Sequence, residues 1–147
     1  MPTNEKRVLI VDDDDAIRAL LFTILRRRRF AVDAARNGVE ALARLRRCSY
    51  CVILLDLMMP LKSGWEVLDE LQRMPADTRP MVIVLTAGNE PRDLDPSLVA
   101  ASIRKPFDVE MLMETVMACT NALVERPQLP DCPPADSAVI ARPEKVN

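Results

Sequence analysis

The amino-acid sequence predicts an α/β fold: a five-stranded doubly wound parallel sheet with helices on both faces. Five short apolar runs alternate along the chain with segments in which apolar residues recur at helical spacing. Two of these runs end in aspartates, at Asp12 and at Asp56. Strands that alternate with helices are typical of parallel sheets whose neighbouring strands are joined by helical crossovers.

Each element is predicted from its own pattern. The strands are predicted where short apolar runs occur, at residues 7–12, 30–35, 51–56, 81–86 and 101–104. The helices are predicted where apolar residues share one helical face: Ile17, Leu20, Leu21, Ile24 and Leu25; then Val39, Leu42 and Leu45; then Trp65, Leu68 and Leu71; and finally Val109, Leu112, Val116 and Leu123.

The composition changes near the C-terminus. Residues 1–124 carry the periodic patterns and are predicted to form a single folded domain. Residues 125–147 contain five prolines and little apolar periodicity. A segment with this composition has too little apolar surface to form a core, so we expect a Pro-rich disordered tail or linker.

The overall composition excludes several classes of protein. With 147 residues, 49% hydrophobic and 29% charged, the chain has the balance of a water-soluble domain. A net charge of -2 gives no electrostatic reason to expect nucleic-acid or membrane binding. No apolar stretch approaches the roughly 20 residues needed to span a bilayer, and the N-terminus lacks the apolar segment of a signal peptide. We therefore expect a cytoplasmic protein.

The four cysteines do not predict a disulfide framework, because they are few and scattered. Cys48 and Cys51 have the C-x-x-C spacing of redox proteins, yet they lie at the entry to a predicted strand, whereas redox pairs of that kind lie at a helix start. Cys51 is therefore interpreted as a small buried apolar residue. The absence of histidine from the sequence argues against zinc.

The acidic residues at two strand ends predict a metal site. Asp56 ends the third apolar run, and the cluster from Asp12 to Asp15 ends the first. In a parallel sheet the carboxyl ends of neighbouring strands meet at one edge, so these carboxylates are expected to converge. Like charges brought together need a cation, and oxygen ligands with a few waters and a phosphate favour Mg2+.

Other charged residues have ordinary structural interpretations. Asp14 or Asp15 is expected to cap the N-terminus of the first helix, where the helix dipole favours a negative charge. The basic run from Arg26 to Arg29 is expected to lie solvated at the C-terminus of that helix rather than to form a phosphate-binding patch.

The combination of motifs resembles the receiver domain of bacterial two-component response regulators. The resemblance extends from about Lys6 to Val124, which is the whole of the predicted domain. Its motifs occur in the family's order and at nearly its spacing: Val8-Leu9-Ile10-Val11-Asp12-Asp13-Asp14, Leu54-Leu55-Asp56-Leu57-Met58-Met59-Pro60 with Gly64, Val84-Leu85-Thr86-Ala87, and Lys105-Pro106-Phe107.

The resemblance implies a phosphorelay function. Asp56 would accept a phosphoryl group from a histidine kinase or a phosphotransfer protein, and the domain would then switch a protein partner or a missing effector domain. It would be a signalling receiver that catalyses only its own phosphoryl transfer and dephosphorylation.

The same resemblance assigns a role to each site residue. Asp13 and Asp56 would bind Mg2+ directly, Asp12 would act through water, and the backbone carbonyl of Met58 would supply a further ligand. Lys105 and the hydroxyl of Thr86 would contact the phosphoryl oxygens. The bond between Lys105 and Pro106 is expected to be cis.

Three departures from the family pattern affect how the phosphorylated domain would be expected to signal. Ser102 stands where receivers usually carry a Tyr or Phe. The interval between Thr86 and Lys105 is short and contains Pro91 and Pro96, so a short or irregular helix is expected there. Gly88, two residues after Thr86, offers no side chain to orient a water.

Three other functions are compatible with parts of the sequence. A receiver-fold interaction module that signals without phosphorylation is suggested by the altered switch region. A metal-dependent phosphatase is disfavoured, because the sequence Asp56-Leu57-Met58 lacks a second aspartate to act as acid and base. A nucleotide-binding flavodoxin-like protein is disfavoured by the three glycines of the chain and the absence of a G-x-G-x-x-G motif.

Overall fold

The computed structural model of the chain describes residues 6–59, 61–88, 93–122 and 127–136. Five parallel strands form one sheet in the order β2-β1-β3-β4-β5, so the predicted doubly wound topology is confirmed. The strands are β1 (Arg7–Val11), β2 (Ala31–Ala35), β3 (Val52–Asp56), β4 (Met81–Thr86) and β5 (Val99–Arg104). The helices are α1 (Asp15–Arg27), α2 (Gly38–Arg47), α3 (Gly64–Arg73) and α4 (Val109–Asn121).

The strand side chains alternate between two cores, one on each face of the sheet. Leu9 belongs to the core formed with α2 and α3, whereas its neighbour Ile10 belongs to the core formed with α1 and α4. β3 lies at the centre of the sheet, and all its residues are buried. Because apolar side chains fill both faces, β3 is fixed in the middle of the molecule and its C-terminal residue Asp56 is held rigidly.

The ends of α1 agree with the sequence predictions. The side chain of Asp14 caps the helix by accepting hydrogen bonds from the N–H groups of Ala16 and Ile17, at 2.9 and 3.1 Å. Arg26 and Arg27 lie in the last turn, where a positive charge opposes the negative end of the helix dipole. The basic run is thus explained by the helix terminus.

The start of α3 approaches the end of β3 through a glycine. A Cβ atom on Gly64 would lie 2.4 Å from the carbonyl oxygen of Asp56 and 2.5 Å from Cα of Leu57. The N–H of Gly64 donates to the carbonyl of Leu57 at 3.1 Å. Gly64 therefore permits the close backbone contact that positions the loop following Asp56.

The segment between β4 and β5 differs from a regular helical crossover. Its described residues, 87–88 and 93–98, contain no helix, in agreement with the short or irregular helix expected there; Pro91 lies outside them. A turn at Asp95 leads directly into β5, since the carbonyl of Asp95 accepts from the N–H groups of Leu98 and Val99. β5 therefore begins two residues earlier than predicted.

Residues 127–136 lie against the sheet, which differs from the disordered tail expected from the composition. A disulfide joins Cys48, just after α2, to Cys132. Cys51 is a free, half-buried thiol rather than a fully buried one. The disulfide was not predicted because the two cysteines are 84 residues apart, and the one local pair spacing, C-x-x-C, joins Cys48 to Cys51 instead. The domain boundary near residue 124 stays a prediction.

No helix in the described ranges is both long enough and apolar enough to cross a bilayer.

Candidate functional site

Three carboxylates converge at the carboxyl edge of the sheet. Asp12 follows β1, Asp56 ends β3, and these two strands are hydrogen-bonded neighbours in the sheet. One carboxylate oxygen from each of Asp12, Asp13 and Asp56 lies within 4.8 Å of the other two. Asp12 is fully buried and Asp56 is 5% exposed, whereas Asp13 is exposed. The fold therefore brings together the acidic residues that the sequence analysis selected.

Backbone groups orient the two buried carboxylates. Oδ1 of Asp12 accepts a hydrogen bond from the N–H of Asp14 at 2.9 Å, and Oδ1 of Asp56 accepts from the N–H of Met58 at 3.0 Å. The guanidinium of Arg18 donates to the backbone carbonyl of Asp12 at 2.8 Å. The remaining oxygen of each carboxylate is directed toward a lysine.

Lys105 bridges the acidic cluster. Its Nζ lies 3.0 Å from Oδ2 of Asp12 and 3.5 Å from Oδ2 of Asp56. Burial alone would lower the pKa of Lys105, but the hydrogen bond and attraction from Asp12, followed by those from Asp56, outweigh it and raise the pKa. The bond from Lys105 to Pro106 is cis, as predicted. A cation is therefore fixed against both buried carboxylates.

Thr86 and Met58 lie beside this cluster in different ways. Thr86 is the buried last residue of β4, next to the end of β3, and its Oγ1 accepts a hydrogen bond from the N–H of Gly88 at 2.9 Å. The backbone carbonyl of Thr86 accepts from the N–H of Lys105 at 2.7 Å. The Met58 side chain is 68% exposed. The proposed role of its carbonyl as a metal ligand stays a prediction.

Position 102, where the family resemblance predicts an aromatic residue, is a serine. Ser102 is exposed on β5, opposite Val84. Gly88 has a φ of 93°, and a Cβ atom there would lie 2.6 Å from Nε of Arg104. The guanidinium of Arg104 thus fills the space that a side chain at position 88 would need. A side chain larger than hydrogen at position 88 would displace Arg104 and strain the backbone.

The environment of Asp56 raises its pKa to about 6. Burial is the largest cause, because it penalises the charged carboxylate. The Met58 N–H opposes the shift, Asp12 adds to it, and Lys105 opposes it in turn. The negative charge of Asp56 therefore remains destabilised even with Lys105 beside it.

The donor set fits a hard divalent cation. All three acidic groups offer oxygen, two of them are buried and fixed, and one remains exposed. Mg2+ binds through one or two carboxylates and keeps several waters, which a partly open cluster of this kind accommodates.

The pKa of Asp56 predicts how pH affects the stability of the metal-free protein. The folded-state pKa, about 6, lies above the ordinary 3.8. The favourable contribution of protonated Asp56 is therefore complete below pH 3.8 and is lost as the pH rises through about 6. In EDTA, we expect wild type to lose about 2 kcal/mol of unfolding free energy relative to Asp56→Asn over that range.

Urea unfolding of both proteins at about pH 4 and about pH 7.5 measures this difference. The Asn variant is the reference because it keeps the side-chain size and cannot ionise. A stability difference that stays constant between the two pH values, or that moves in favour of wild type at the higher pH, contradicts the expectation.

A second cluster of buried charges was missed by the sequence analysis. Asp33, in the middle of β2, is fully buried and accepts hydrogen bonds from Nε of Arg7 at 2.9 Å and from the hydroxyl of Tyr50 at 2.5 Å. Arg44 lies 3.6 Å from its other oxygen. The available signal was an aspartate inside an otherwise apolar strand, Ala31-Val32-Asp33-Ala34-Ala35. Such a residue needs a partner when it is buried.

The acidic cluster and Lys105 lie at the carboxyl edge of a parallel α/β sheet, which is the edge where proteins of this class bind their ligands. Residues 8–117 match the family described as "Response regulator receiver domain". The chain therefore belongs to the response regulator receiver family.

Relatives of known sequence agree with this assignment. The transcriptional regulatory protein ResD of Bacillus subtilis is 39% identical over 119 residues, which is 79% of this chain and 48% of ResD. The response regulator MprA of Mycobacterium ulcerans is 36% identical over 137 residues, 91% of this chain and 56% of MprA. The chain thus spans about half the length of the curated relatives it matches.

Solved structures share the fold. The response regulator TrrA of Thermotoga maritima, crystallised in complex with Mg2+-BeF, has a TM-score of 0.69 and 36% identity; the match covers 78% of this chain and 98% of that chain. The chemotaxis response regulator CheY4 of Vibrio cholerae has a TM-score of 0.70 and 26% identity, with the same coverage of each chain.

Proposed function

We propose that Asp56 accepts a phosphoryl group in a Mg2+-dependent reaction of a two-component phosphorelay. The observation that carries this proposal is the position of Asp56: buried at a strand end, within one cluster with Asp12 and Asp13, and 3.5 Å from the ammonium of Lys105. A carboxylate in such a setting is a suitable nucleophile, because phosphoryl transfer requires mainly positioning and charge neutralisation.

The chemistry assigns a task to each side chain. An oxygen of Asp56 forms the new bond to phosphorus, and the bond from phosphorus to the donor's histidine nitrogen breaks. Met58 N–H holds Oδ1 of Asp56, and Lys105 faces Oδ2. Lys105 then attracts the phosphoryl oxygens, and the hydroxyl of Thr86 can turn from the N–H of Gly88 to donate to the same group.

Mg2+, when bound, supplies the positive charge that lets an anionic donor approach three carboxylates. Asp13 and Asp56 are the proposed direct ligands, since Asp13 is open to solvent and Asp56 must also reach the phosphorus. Asp12 is the proposed ligand through water, because it is fully buried and lies closer to Nζ of Lys105, at 3.0 Å, than Asp56 does, at 3.5 Å. The carbonyl of Met58 is the third proposed direct protein ligand.

The proposed partners follow from this reaction. A histidine kinase or phosphotransfer protein would donate the phosphoryl group, and a downstream protein would respond to the phosphorylated form. We place the protein in the cytoplasm, where such a donor would meet it. The domain would catalyse only its own phosphorylation and dephosphorylation.

Intact-protein mass spectrometry after treatment with acetyl phosphate tests the proposal. With Mg2+ present, we expect one phosphoryl adduct per chain; with EDTA in place of Mg2+, we expect loss of at least about nine-tenths of it, because the carboxylates then repel the donor. An adduct that forms equally well in EDTA contradicts the metal requirement. A chain that gains no adduct with Mg2+ would instead support an interaction module that signals without phosphorylation.

A further inference from the structure

The segment 127–136 reaches the outer edge of β2 at Asp136 and contacts the end of α2 and the residues after it through Cys132 and Gln128. These contacts are far along the chain from the segment itself. Here this segment is called the C-terminal strap. The strap is attached covalently by the disulfide between Cys48 and Cys132. Nothing in the phosphoryl-transfer chemistry requires it.

The strap takes the place of a neighbouring strand at the edge of the sheet. β2 is an outermost strand of the sheet, so its outward backbone groups have no strand partner among the described residues. The N–H of Asp136 donates to the carbonyl of Val32 at 3.2 Å, and the N–H of Ala34 donates to the carboxylate of Asp136 at 3.3 Å. One residue of the strap thus satisfies two groups of an edge that would otherwise be open to another chain.

Charged contacts complete the attachment. Arg44 donates to both oxygens of Asp136, at 3.2 and 2.7 Å, and Arg7 donates to the carbonyl of Pro133 at 2.9 Å. The N–H of Asp136 also donates to Oδ1 of Asp33 at 3.0 Å. The strap therefore covers the buried cluster around Asp33. These contacts are partly exposed, and partly exposed ion pairs by themselves contribute little to holding a segment in place.

The sulfur chemistry permits the bond to open and close. Cys48 is 3% exposed, but Cys132 is only half-buried, so an external thiol can reach the disulfide from the side of Cys132. Cys51 lies three residues from Cys48, and burial raises its pKa to about 11. At neutral pH Cys51 is thus protonated and a poor nucleophile. An external reductant is needed to open the bond.

We propose that Cys48 and Cys132 form a thiol–disulfide switch that clasps the C-terminal strap onto the β2 edge. To open the bond, a dithiol reductant attacks Cys132 and forms a mixed disulfide with it, which releases Cys48 as a thiol. The second thiol of the reductant then releases Cys132, and the reductant leaves as its own disulfide. Two electrons and two protons have then entered the protein. When the bond closes, a low-molecular-weight disulfide such as oxidised glutathione accepts these two electrons and two protons. Disulfides seldom persist in a reducing compartment, so docking of the strap follows the local redox state.

Opening the clasp changes the surface of the protein. The carbonyl of Val32 and the N–H of Ala34 lose their partner, and Arg44 loses the carboxylate of Asp136. The phosphoryl site lies at the ends of β1 and β3, so opening leaves its residues in place.

NMR-detected amide exchange on the whole chain tests the clasp. Adding a phosphine reductant to the oxidised protein should speed exchange at Ala34 by about tenfold or more, because its acceptor leaves with the strap. The amide of Ala31 is an internal control, since it donates to the carbonyl of Lys6 on the inner side of β2 at 2.9 Å. Its exchange should stay within about twofold.

Two variants show whether the bond between Cys48 and Cys132 is what protects the amide of Ala34. Cys132→Ser should show fast exchange at Ala34 with or without reductant. Cys51→Ser should respond as wild type does, and peptide mapping of the reduced protein after oxidised glutathione should recover the bond between Cys48 and Cys132. Continued protection of Ala34 after reduction overturns the proposal, because the strap would then dock without the bond. Recovery of a bond between Cys48 and Cys51 instead overturns it as well.

Discussion

Replacement of Asp56 by asparagine is expected to abolish phosphoryl incorporation from acetyl phosphate in the presence of Mg2+. The amide keeps the size of the side chain but offers no anionic oxygen to attack phosphorus. It also removes one proposed direct ligand of the metal. Intact-protein mass spectrometry compares the variant with wild type over the same time course, and we expect the adduct to fall by at least about a hundredfold.

Two neighbouring aspartates provide comparisons for this experiment, Asp14 as a control outside the site and Asp13 as a proposed metal ligand. Asp14→Asn should retain the adduct, because the Asp14 side chain caps α1 and an asparagine oxygen can accept the same hydrogen bonds from Ala16 and Ile17. Asp13→Asn should still form the adduct but should need more Mg2+, because one exposed ligand has lost its charge. Persistence of the adduct in Asp56→Asn would place the phosphoryl group on another residue.

Replacement of Asp33 by alanine is expected to lower the unfolding free energy by about 3–5 kcal/mol. Asp33 is fully buried and faces the guanidinium of Arg7, whose terminal nitrogen lies 2.7 Å away. Its loss leaves Arg7 without its carboxylate and the hydroxyl of Tyr50 without its acceptor. It also removes an acceptor for the N–H of Asp136 in the strap. Urea unfolding at neutral pH under non-reducing conditions measures the change.

Two comparisons show whether the loss comes from the buried network. Asp77→Ala removes an exposed carboxylate and should change stability by less than about 0.5 kcal/mol. Tyr50→Phe should cost about 1 kcal/mol, because one hydrogen bond is lost while the ring stays buried. Burial, followed by the hydrogen bond to Asp33, raises the pKa of Tyr50, so its neutral hydroxyl donates throughout the ordinary pH range. An Asp33→Ala protein as stable as Asp77→Ala would mean that the charges around Asp33 are solvated.

The elements and the main site could be predicted because their signals are local. The apolar runs at β1, β3 and β4 are short and uninterrupted, and each appears as a strand close to its predicted range. The parallel order then brings strand ends to one edge, which is why Asp12, Asp13 and Asp56 were expected to meet. The family resemblance added what strand patterns do not provide, the roles of Thr86 and Lys105.

The electrostatics of the site required coordinates. The sequence predicts that Lys105 and Asp56 meet, but not that Lys105 lies closer to Asp12, at 3.0 Å against 3.5 Å. It also does not show that burial is the largest cause of the raised pKa of Asp56. The burial of a side chain and the distances between its atoms and others depend on how all the elements pack, so a local sequence pattern predicts neither.

The sequence by itself determined the parallel α/β sheet, the N-cap of α1 and the acidic edge, because periodicity, capping and strand-end position are encoded within a few neighbouring residues. Only the tertiary structure decided that Asp33 is buried among Arg7, Tyr50 and Arg44, and that Cys48 bonds to Cys132. These contacts join segments far apart in the chain, 84 residues in the case of the disulfide. Their partners are chosen by the geometry of the folded sheet edge, since no spacing rule links residues at such separations.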